Sequence, residues 1–510
     1  MKKTVKTLQI LAMALLAAAC TKGEYFDVKN YATGVYTPMA SDGGEFEETD
    51  PQFEGIIENP FVKVSEQPVS TFSVDADGAS YSYARRCLLN GAVYYFNYFN
   101  ADALRTEEFL NYFTFDYSDP TGSETLGINA ESGPCPWNNG HMLLRLGLKG
   151  KSIPDDEMPP ANFIMLVDVS GSMNGSDRIE LLKSGLCEMI DHMRPTDRVA
   201  IITYSGDVSM PLESTLCKDA SAIKKVIRSL TASGSTAGGE AMKMAYKEAS
   251  EHYMTGGNNR IIMCTDGDFN VGVSSTDALV EMVESYQDQG IYLSIMGFGI
   301  GNFQDARMEN LAAHGNGTYT YIDCEDEMMK VFVYERSHFC AVANDTKCQI
   351  TFTDAVDSYR LIGYEHRVMN NEDFEDDSKD AGEIGAGQTV TALYEIIPAE
   401  GYVPSARSAT FDVRYKQALG EESRQLSLDI TVPPADAQNT TEFNFASGIA
   451  ALALSLRQSP YKGEANFDMA KALVQKGIGQ APDPLKLRNQ LLNLIDKASD
   501  WAEEHSSDKQ

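Results

Sequence analysis

The feature that most restricts the fold is a regular alternation of strand and helix patterns over residues 161–336. Apolar runs at residues 162–167, 199–204, 260–264 and 291–296 are separated by segments whose apolar residues recur at helical spacing. Strands that alternate with helices in this way form a mainly parallel sheet with helices on both faces. The sequence therefore predicts an α/β domain in this region.

Oxygen-bearing side chains follow the ends of these strands. Asp168, Ser170 and Ser172 stand on alternate residues directly after the first apolar run, where all three can turn towards one point. A second acidic turn begins at Asp266, after another apolar strand, and the glycine-rich segment 234–239 opens a helix. Carboxylate and hydroxyl oxygens suit a hard divalent cation. Ligands bind parallel sheets beyond the carboxyl ends of the strands, so these segments lie at the expected edge for a site.

The order and spacing of these segments resemble the metal-ion-dependent adhesion site of von Willebrand factor type A (VWA) domains. That family shows Asp-x-Ser-x-Ser, then a Thr, then an Asp. The matching positions are Asp168, Ser170, Ser172, Thr236 and Asp266. The resemblance implies a Rossmann-like VWA fold and a Mg²⁺ cofactor, with Mn²⁺ or Ca²⁺ as alternatives. It also implies that the cation grips an acidic group on a partner.

The charges of the matched residues favour binding over catalysis. Only Asp168 and Asp266 are anionic, so a small octahedral cation stays electrophilic and accepts a carboxylate from outside. None of the matched residues is an obvious base to activate a water, which metal-assisted hydrolysis requires. We therefore expect a non-enzymatic protein that binds an Asp or Glu of a protein partner. A metal-dependent hydrolase and a structural envelope scaffold are the alternatives.

The first residues indicate export and a lipid anchor. Lys2, Lys3 and Lys6 precede a short apolar core over residues 8–19, which is the pattern of a secretory signal. The segment ends at Cys20 and resembles a bacterial lipoprotein signal, in which the Cys carries the lipid. An ordinary signal peptide with a chance Cys is the alternative. We expect a cell-envelope protein attached to the outer membrane, with its periplasmic or surface orientation open.

The overall composition limits the classes of partner that this protein can bind. A formal net charge of −32 argues against nucleic-acid binding, which needs a basic surface. Eight cysteines follow Cys20, and an exported context permits disulfides. Cys187 and Cys264 fall on apolar faces, where buried free thiols are expected. Pairing of Cys340 with Cys348 is left open.

The regions around the α/β domain have a different character. We divide the chain into a signal peptide, a flexible tether, an N-terminal VWA-associated region, a VWA domain, a β-rich C-terminal domain and a helical C-terminal segment. Their respective bounds are 1–19, 20–65, 66–160, 161–336, 337–440 and 441–510.

Motifs in these flanking regions carry a second resemblance. They lie at residues 68–75, 105–113, 136–138, 359–364 and 380–387, and they resemble the YfbK-type bacterial lipoproteins. Those proteins combine an N-terminal VWA-associated domain, a VWA domain and a C-terminal domain of unknown function. Because chain termini of a domain often lie close together, we predict that the flanking regions join into one β-rich domain into which the VWA domain is inserted.

Overall fold

Within the described residues the strands form three sheets. The computed structural model describes residues 55–89, 103–235, 238–267, 276–299, 305–379, 381–403, 406–418, 420–431, 433–434, 437–479 and 481–505. The predicted signal peptide, Cys20, most of the tether and Thr236 lie outside these residues. The strands are β1 (Val62–Lys63), β2 (Val69–Ser73), β3 (Leu126–Pro134), β4 (Met142–Gly150), β5 (Ala161–Asp168), β6 (Arg198–Tyr204), β7 (Val208–Leu216), β8 (Asn258–Thr265), β9 (Ile291–Phe298), β10 (Tyr319–Ile322), β11 (Ala341–Phe352), β12 (Val356–Ile362), β13 (Val368–Met369), β14 (Gly382–Gly385), β15 (Thr389–Pro398), β16 (Arg407–Lys416) and β17 (Arg424–Thr431).

Helices connect the strands of the central sheet, and three further helices follow the last described strand. They are α1 (Ala79–Leu89), α2 (Thr106–Asn111), α3 (Ile179–His192), α4 (Ala220–Ser229), α5 (Gly239–Glu251), α6 (Thr276–Gln287), α7 (Asp305–His314), α8 (Glu325–Met329), α9 (Thr441–Leu456), α10 (Phe467–Gly477) and α11 (Leu487–His505). Within the described ranges, none of these helices combines the length and the apolar character that a membrane span requires.

The central sheet has the order β10-β9-β8-β5-β6-β7. Every neighbouring pair from β10 to β6 is parallel, and β7 pairs antiparallel with β6 at one edge. Strand β5 is buried along its whole length, because apolar side chains cover both faces of the sheet. The chain passes from β5 to β6 on one side and later to β8 on the other. The topological switch point therefore lies between β5 and β8.

The flanking regions form two facing sheets. One has the order β1-β12-β15-β4-β3, and the other has the order β13-β2-β11-β16-β17. Strand β4 from before the central domain pairs antiparallel with β15 from after it, and β2 pairs with β11 in the same way. A shared apolar core lies between the two sheets. The predicted fold class is confirmed, including the β-rich flanking region, the inserted VWA-like sheet and the C-terminal helices; the individual domain bounds stay predictions.

One loop holds both ends of the inserted domain. The chain leaves the sandwich at Gly150, whose backbone nitrogen donates to the Gln388 carbonyl at 2.9 Å. It returns at Cys340, whose carbonyl accepts from the backbone nitrogen of Ala386 at 2.8 Å. A Cβ on Gly150 would lie 2.2 Å from the Gly385 carbonyl oxygen, so this close approach requires glycine. Residues 385–388 thus bring the exit and the return together.

The structure adds strands that the sequence patterns did not predict. Strand β7 contains Pro211 and alternates half-buried with exposed positions, and its pairing with β6 shifts register near Pro211. Proline is tolerated at sheet edges and bulges, which explains a strand without an apolar run. Strand β3 contains Gly127, Gly133 and Pro134 and is mostly half-buried. Its weak strand propensity is overridden by full pairing with β4.

The cysteines of the described residues carry free thiols. The pairing of Cys340 with Cys348 that the sequence left open is not formed. Cys264 is buried, in keeping with its expected place on the apolar face of a strand. Cys187 is only half-buried, because its helix lies at the surface of the domain.

A buried ion cluster ties the first helix to the last part of the inserted domain. Arg85 of α1 donates to Asp323 at 2.8 and 2.5 Å and to Glu327 at 2.7 Å. Its guanidinium also packs against the rings of Tyr81 and Tyr112, and the Tyr112 hydroxyl donates to Glu327 at 2.7 Å. The three charged side chains are each at most 5% exposed. Such a cluster is stable only while all of its members are present, because each buried charge depends on the others.

We predict that Arg85→Ala lowers the free energy of unfolding by roughly 3–5 kcal/mol, because it leaves two buried carboxylates without their cation. Urea denaturation followed by circular dichroism measures the change. Lys243→Ala is the control, since it removes an exposed pair with Glu240. That variant should change the free energy by no more than about 0.5 kcal/mol. Equal stability of the two variants would contradict the structural role of the cluster.

Candidate metal site

Asp168 stands at the switch point of the central sheet, as the last residue of β5. It is fully buried, and its carboxylate is held from two sides. Oδ1 accepts from the backbone nitrogen of Ser170 at 2.8 Å, and Oδ2 accepts from the Thr265 hydroxyl at 3.4 Å. The strand end and these two donors fix the orientation of the carboxylate before any ligand binds.

The two predicted serines lie side by side in the following turn. The hydroxyl oxygens of Ser170 and Ser172 are 2.9 Å apart. Two cis ligands of an octahedral cation with bonds of about 2.0–2.1 Å are separated by about 2.9 Å, so this pair matches the bite that magnesium requires. Arg178 donates to the Ser172 carbonyl oxygen at 2.7 Å and holds the turn in place.

A second loop is hydrogen-bonded to this turn. The backbone nitrogen of Gly171 donates to the Gly234 carbonyl at 2.9 Å, and that of Ser233 donates to the Val169 carbonyl at 2.7 Å. The loop leads directly into Thr236, which lies outside the described residues. The assignment of Thr236 as a ligand therefore stays a prediction.

Asp266 completes the acidic part of the site. It follows β8, which runs parallel to β5 with Val167 opposite Cys264. The structure thus brings Asp168, Ser170, Ser172 and Asp266 to one edge of the sheet, and their donor set fits a small hard cation. Magnesium binding by these residues remains a prediction.

The electrostatics of Asp168 also suit a cation. In the metal-free protein, burial raises the pKa of Asp168 from 3.8 to about 6, and the negative charge of Asp266 adds to the rise. Hydrogen bonds from Ser170 oppose it. A bound divalent cation would stabilise both carboxylates in their charged form.

Three supporting residues were not identified from the sequence. Thr265 and Arg178 contact the site through the hydrogen bonds described above. Tyr204 ends the neighbouring strand β6 and is fully buried, and its side chain acts to lower the pKa of Asp168. The one sequence signal that could have identified Tyr204 is its position at the end of a strand next to β5. A Tyr at a strand end is otherwise an ordinary core residue.

Comparison with known families agrees with this geometry. Residues 163–268 match the von Willebrand factor type A domain family, and residues 47–145 match a family described as von Willebrand factor. A solved VWA structure from Catenulispora acidiphila is 14% identical, with a TM-score of 0.42, and the alignment covers 75% of this chain and 91% of that one. The fold and site define a VWA-domain protein, a class that typically mediates protein–protein interactions and commonly binds a divalent metal at its adhesion site.

The flanking regions identify the family of this chain more specifically. Residues 337–501 match a family described as the C-terminal part of the uncharacterized protein YfbK. YfbK of Escherichia coli (strain K12) is 34% identical over 473 residues, which cover 88% of this chain and 81% of that protein. This chain therefore belongs to the YfbK family. Human inter-alpha-trypsin inhibitor heavy chain H3 is 29% identical over 186 residues, covering 34% of this chain and 21% of that protein.

We predict that Asp168→Ala abolishes magnesium binding, because it removes one of two carboxylates at the site. Isothermal titration calorimetry with magnesium chloride measures the loss. Asp219→Ala is the matched control, since Asp219 is an exposed aspartate of the same domain. Equal magnesium affinity of the Asp168→Ala protein and the wild type would show that the ion binds elsewhere.

We also predict that magnesium affinity depends on pH. The pKa of Asp168 is raised to about 6 in the metal-free protein, so protons compete with the metal as the pH falls through this value. Affinity should be nearly constant above pH 7 and should fall by about tenfold for each further unit well below pH 6. Calorimetry in buffers of different ionisation enthalpy should show proton release on binding near pH 6. An affinity that does not change between pH 7 and 5 would contradict the prediction.

Proposed function

We propose that this protein is a lipid-anchored protein of the cell envelope that binds a protein partner through a divalent cation. The proposed ligands of that cation are Ser170, Ser172 and Thr236, together with Asp168 and Asp266, which bind it directly or through water. The observation that carries the proposal is the hydroxyl pair of Ser170 and Ser172, 2.9 Å apart beside the buried carboxylate of Asp168. That arrangement places two neutral oxygens at the spacing of cis ligands on an octahedral cation, next to an anionic residue.

The charge of the site leaves room for an external ligand. Two carboxylates neutralise a divalent cation formally, but three hydroxyls donate weakly and the coordination shell stays incomplete without further oxygens. An Asp or Glu side chain of a partner supplies the missing anionic oxygen. Recognition by this route needs a carboxylate on the partner and the cation on this protein.

The surroundings of the site support access by a partner. Asp168 and Ser170 are buried, whereas Gly171, Gly234 and Ser235 are exposed. The acidic ligands are thus shielded at the base of the site, and the loops around them face solvent. We propose that a partner approaches from this side.

The anchor is supported by the sequence pattern that ends at Cys20. A lipid on this residue would attach the protein to the outer membrane, with the following residues as a tether. Cys20→Ser tests the anchor, because it removes the thiol that carries the lipid. The wild type should fractionate with membranes and take up radiolabelled palmitate, and the variant should do neither. Membrane association of both would contradict a lipid anchor at this position.

We predict magnesium-dependent capture of the partner. Immobilised protein is incubated with solubilised envelope proteins in magnesium or in chelator at the same ionic strength, which separates a local metal effect from charge effects that salt screens. Wild type and Asp219→Ala should retain the same partner in magnesium and lose it in chelator. Thr236→Ala should retain much less, because one metal ligand is missing.

The state of the captured partner separates binding from hydrolysis. Its intact mass should be unchanged after prolonged incubation with magnesium. A new cleavage product that requires Asp168 would support a metal-dependent hydrolase instead. Undiminished capture in both chelator and Thr236→Ala would place the binding surface elsewhere and overturn the metal-mediated mechanism.

A further inference from the structure

Helix α1 carries a second arginine beside Arg85, and this residue reaches the loop that follows the metal turn, residues 168–172. The Arg86 side chain is only 6% exposed. Its Nη2 donates to the Asp177 carboxylate, and its Nη1 donates to the Asp323 backbone carbonyl at 3.1 Å. The two arms of one guanidinium therefore join two loops that are far apart in sequence.

The contacts of Arg86 lie at the same edge of the central sheet as the candidate metal site. Asp168 ends β5, and Asp323 directly follows β10. The strands from β10 to β5 are parallel, so their carboxyl ends meet at one edge. Helix α1 packs against β10, although it precedes the inserted domain in sequence. The flanking region thus places a positive charge beside the loops of this edge.

Asp177 is connected to the metal turn through the next residue. Arg178 donates to the Ser172 carbonyl at 2.7 Å, while Arg86 holds the Asp177 carboxylate. Oδ1 of Asp177 also lies over Gly175, where a Cβ would come within 2.8 Å of it. A shift of Asp177 would therefore carry Arg178 with it and would move the carbonyl that Arg178 holds.

The attachment of α1 to the inserted domain does not require this ion pair. Arg85 already provides it through two carboxylates whose side chains are each at most 3% exposed. The Asp177 side chain is 30% exposed, and exposed ion pairs contribute little to the free energy of folding. The pair does fix the position of residue 177, because a planar guanidinium holds its acceptors in a set geometry.

We propose that Arg86 is a positioning residue of the metal site. Its ion pair with Asp177 holds the loop so that the Ser170 and Ser172 hydroxyls face one cation. This inference rests on the proposed function, in which these hydroxyls bind the ion, and it makes the flanking region part of the adhesion site. Because coupling between two sites is reciprocal, a bound ion in turn stabilises the packing of α1.

Calorimetry with magnesium chloride on the full chain tests the effect on the metal site. Asp177→Ala should weaken magnesium binding by about tenfold, because residues that orient metal ligands typically change the affinity by at least this much. Arg86→Lys should have a similar effect, since it keeps the buried positive charge but cannot hold both acceptors. Asp191→Ala is the matched control, because Asp191 forms another partly exposed ion pair of the same domain, with Lys224. This control should bind magnesium like the wild type.

Hydrogen exchange measured by mass spectrometry separates positioning from a merely structural role. Magnesium should slow the exchange of the α1 amides, residues 79–89, in the wild type and in Asp191→Ala. Asp177→Ala should lose most of this protection even at saturating magnesium. Loss of an ion pair that only stabilises the fold would speed exchange in α1 but would leave the effect of magnesium in place.

Two results would overturn the inference and leave the metal site standing. One is magnesium binding by Asp177→Ala with the affinity of the wild type, and the other is unchanged magnesium protection of α1 in this variant. If the wild type itself binds no magnesium, the proposed function is wrong and this inference is wrong with it. If Asp177→Ala does not fold, as judged by circular dichroism, Arg86→Lys replaces it in both measurements.

Discussion

The buried guanidinium of Arg85 is the interaction on which the arrangement of this molecule most depends. It reaches from α1, in the first part of the chain, to Asp323 and Glu327 at the end of the inserted domain. Without it each acid would lose a buried ion pair, and an uncompensated buried carboxylate is strongly unfavourable. The aromatic rings of Tyr81 and Tyr112 pack against the guanidinium. This single side chain therefore joins helix α1 to the inserted domain and supplies positive charge to two buried acids.

The central sheet provides the second constraint, because its strand order sets the position of the switch point, where parallel sheets bind ligands. β5 and β8 are neighbours, yet the chain reaches them on opposite sides of the switch point. The carboxyl ends of these two strands therefore lie side by side. They bring Asp168 and Asp266 to the same edge of the sheet although these residues are far apart in sequence. The hydrogen bond from Gly171 to Gly234 then draws the third loop to the same edge. The fold thus brings these residues together without any help from a cation.

Much of this could be predicted from the sequence, for identifiable reasons. The parallel strands β5, β6, β8 and β9 are continuous apolar runs, and the sequence therefore predicts them directly. Edge strand β7 was missed because Pro211 and its polar neighbours do not follow a strand pattern. The serines and Asp168 follow a local motif, so they were found. Arg85 and its acids are 238 and 242 residues apart, so no local pattern in the sequence indicates this cluster.

The loop at residues 385–388 has a mechanical consequence. It hydrogen-bonds to the chain at Gly150 and at Cys340, so the two crossings into the VWA domain share one attachment. A pulling force on the VWA domain would act on both crossings together and would reach the sandwich through strands β4 and β11, which belong to different sheets. Tension is thereby divided between two sheets that enclose a common core. This arrangement should resist the separation of the strands one at a time.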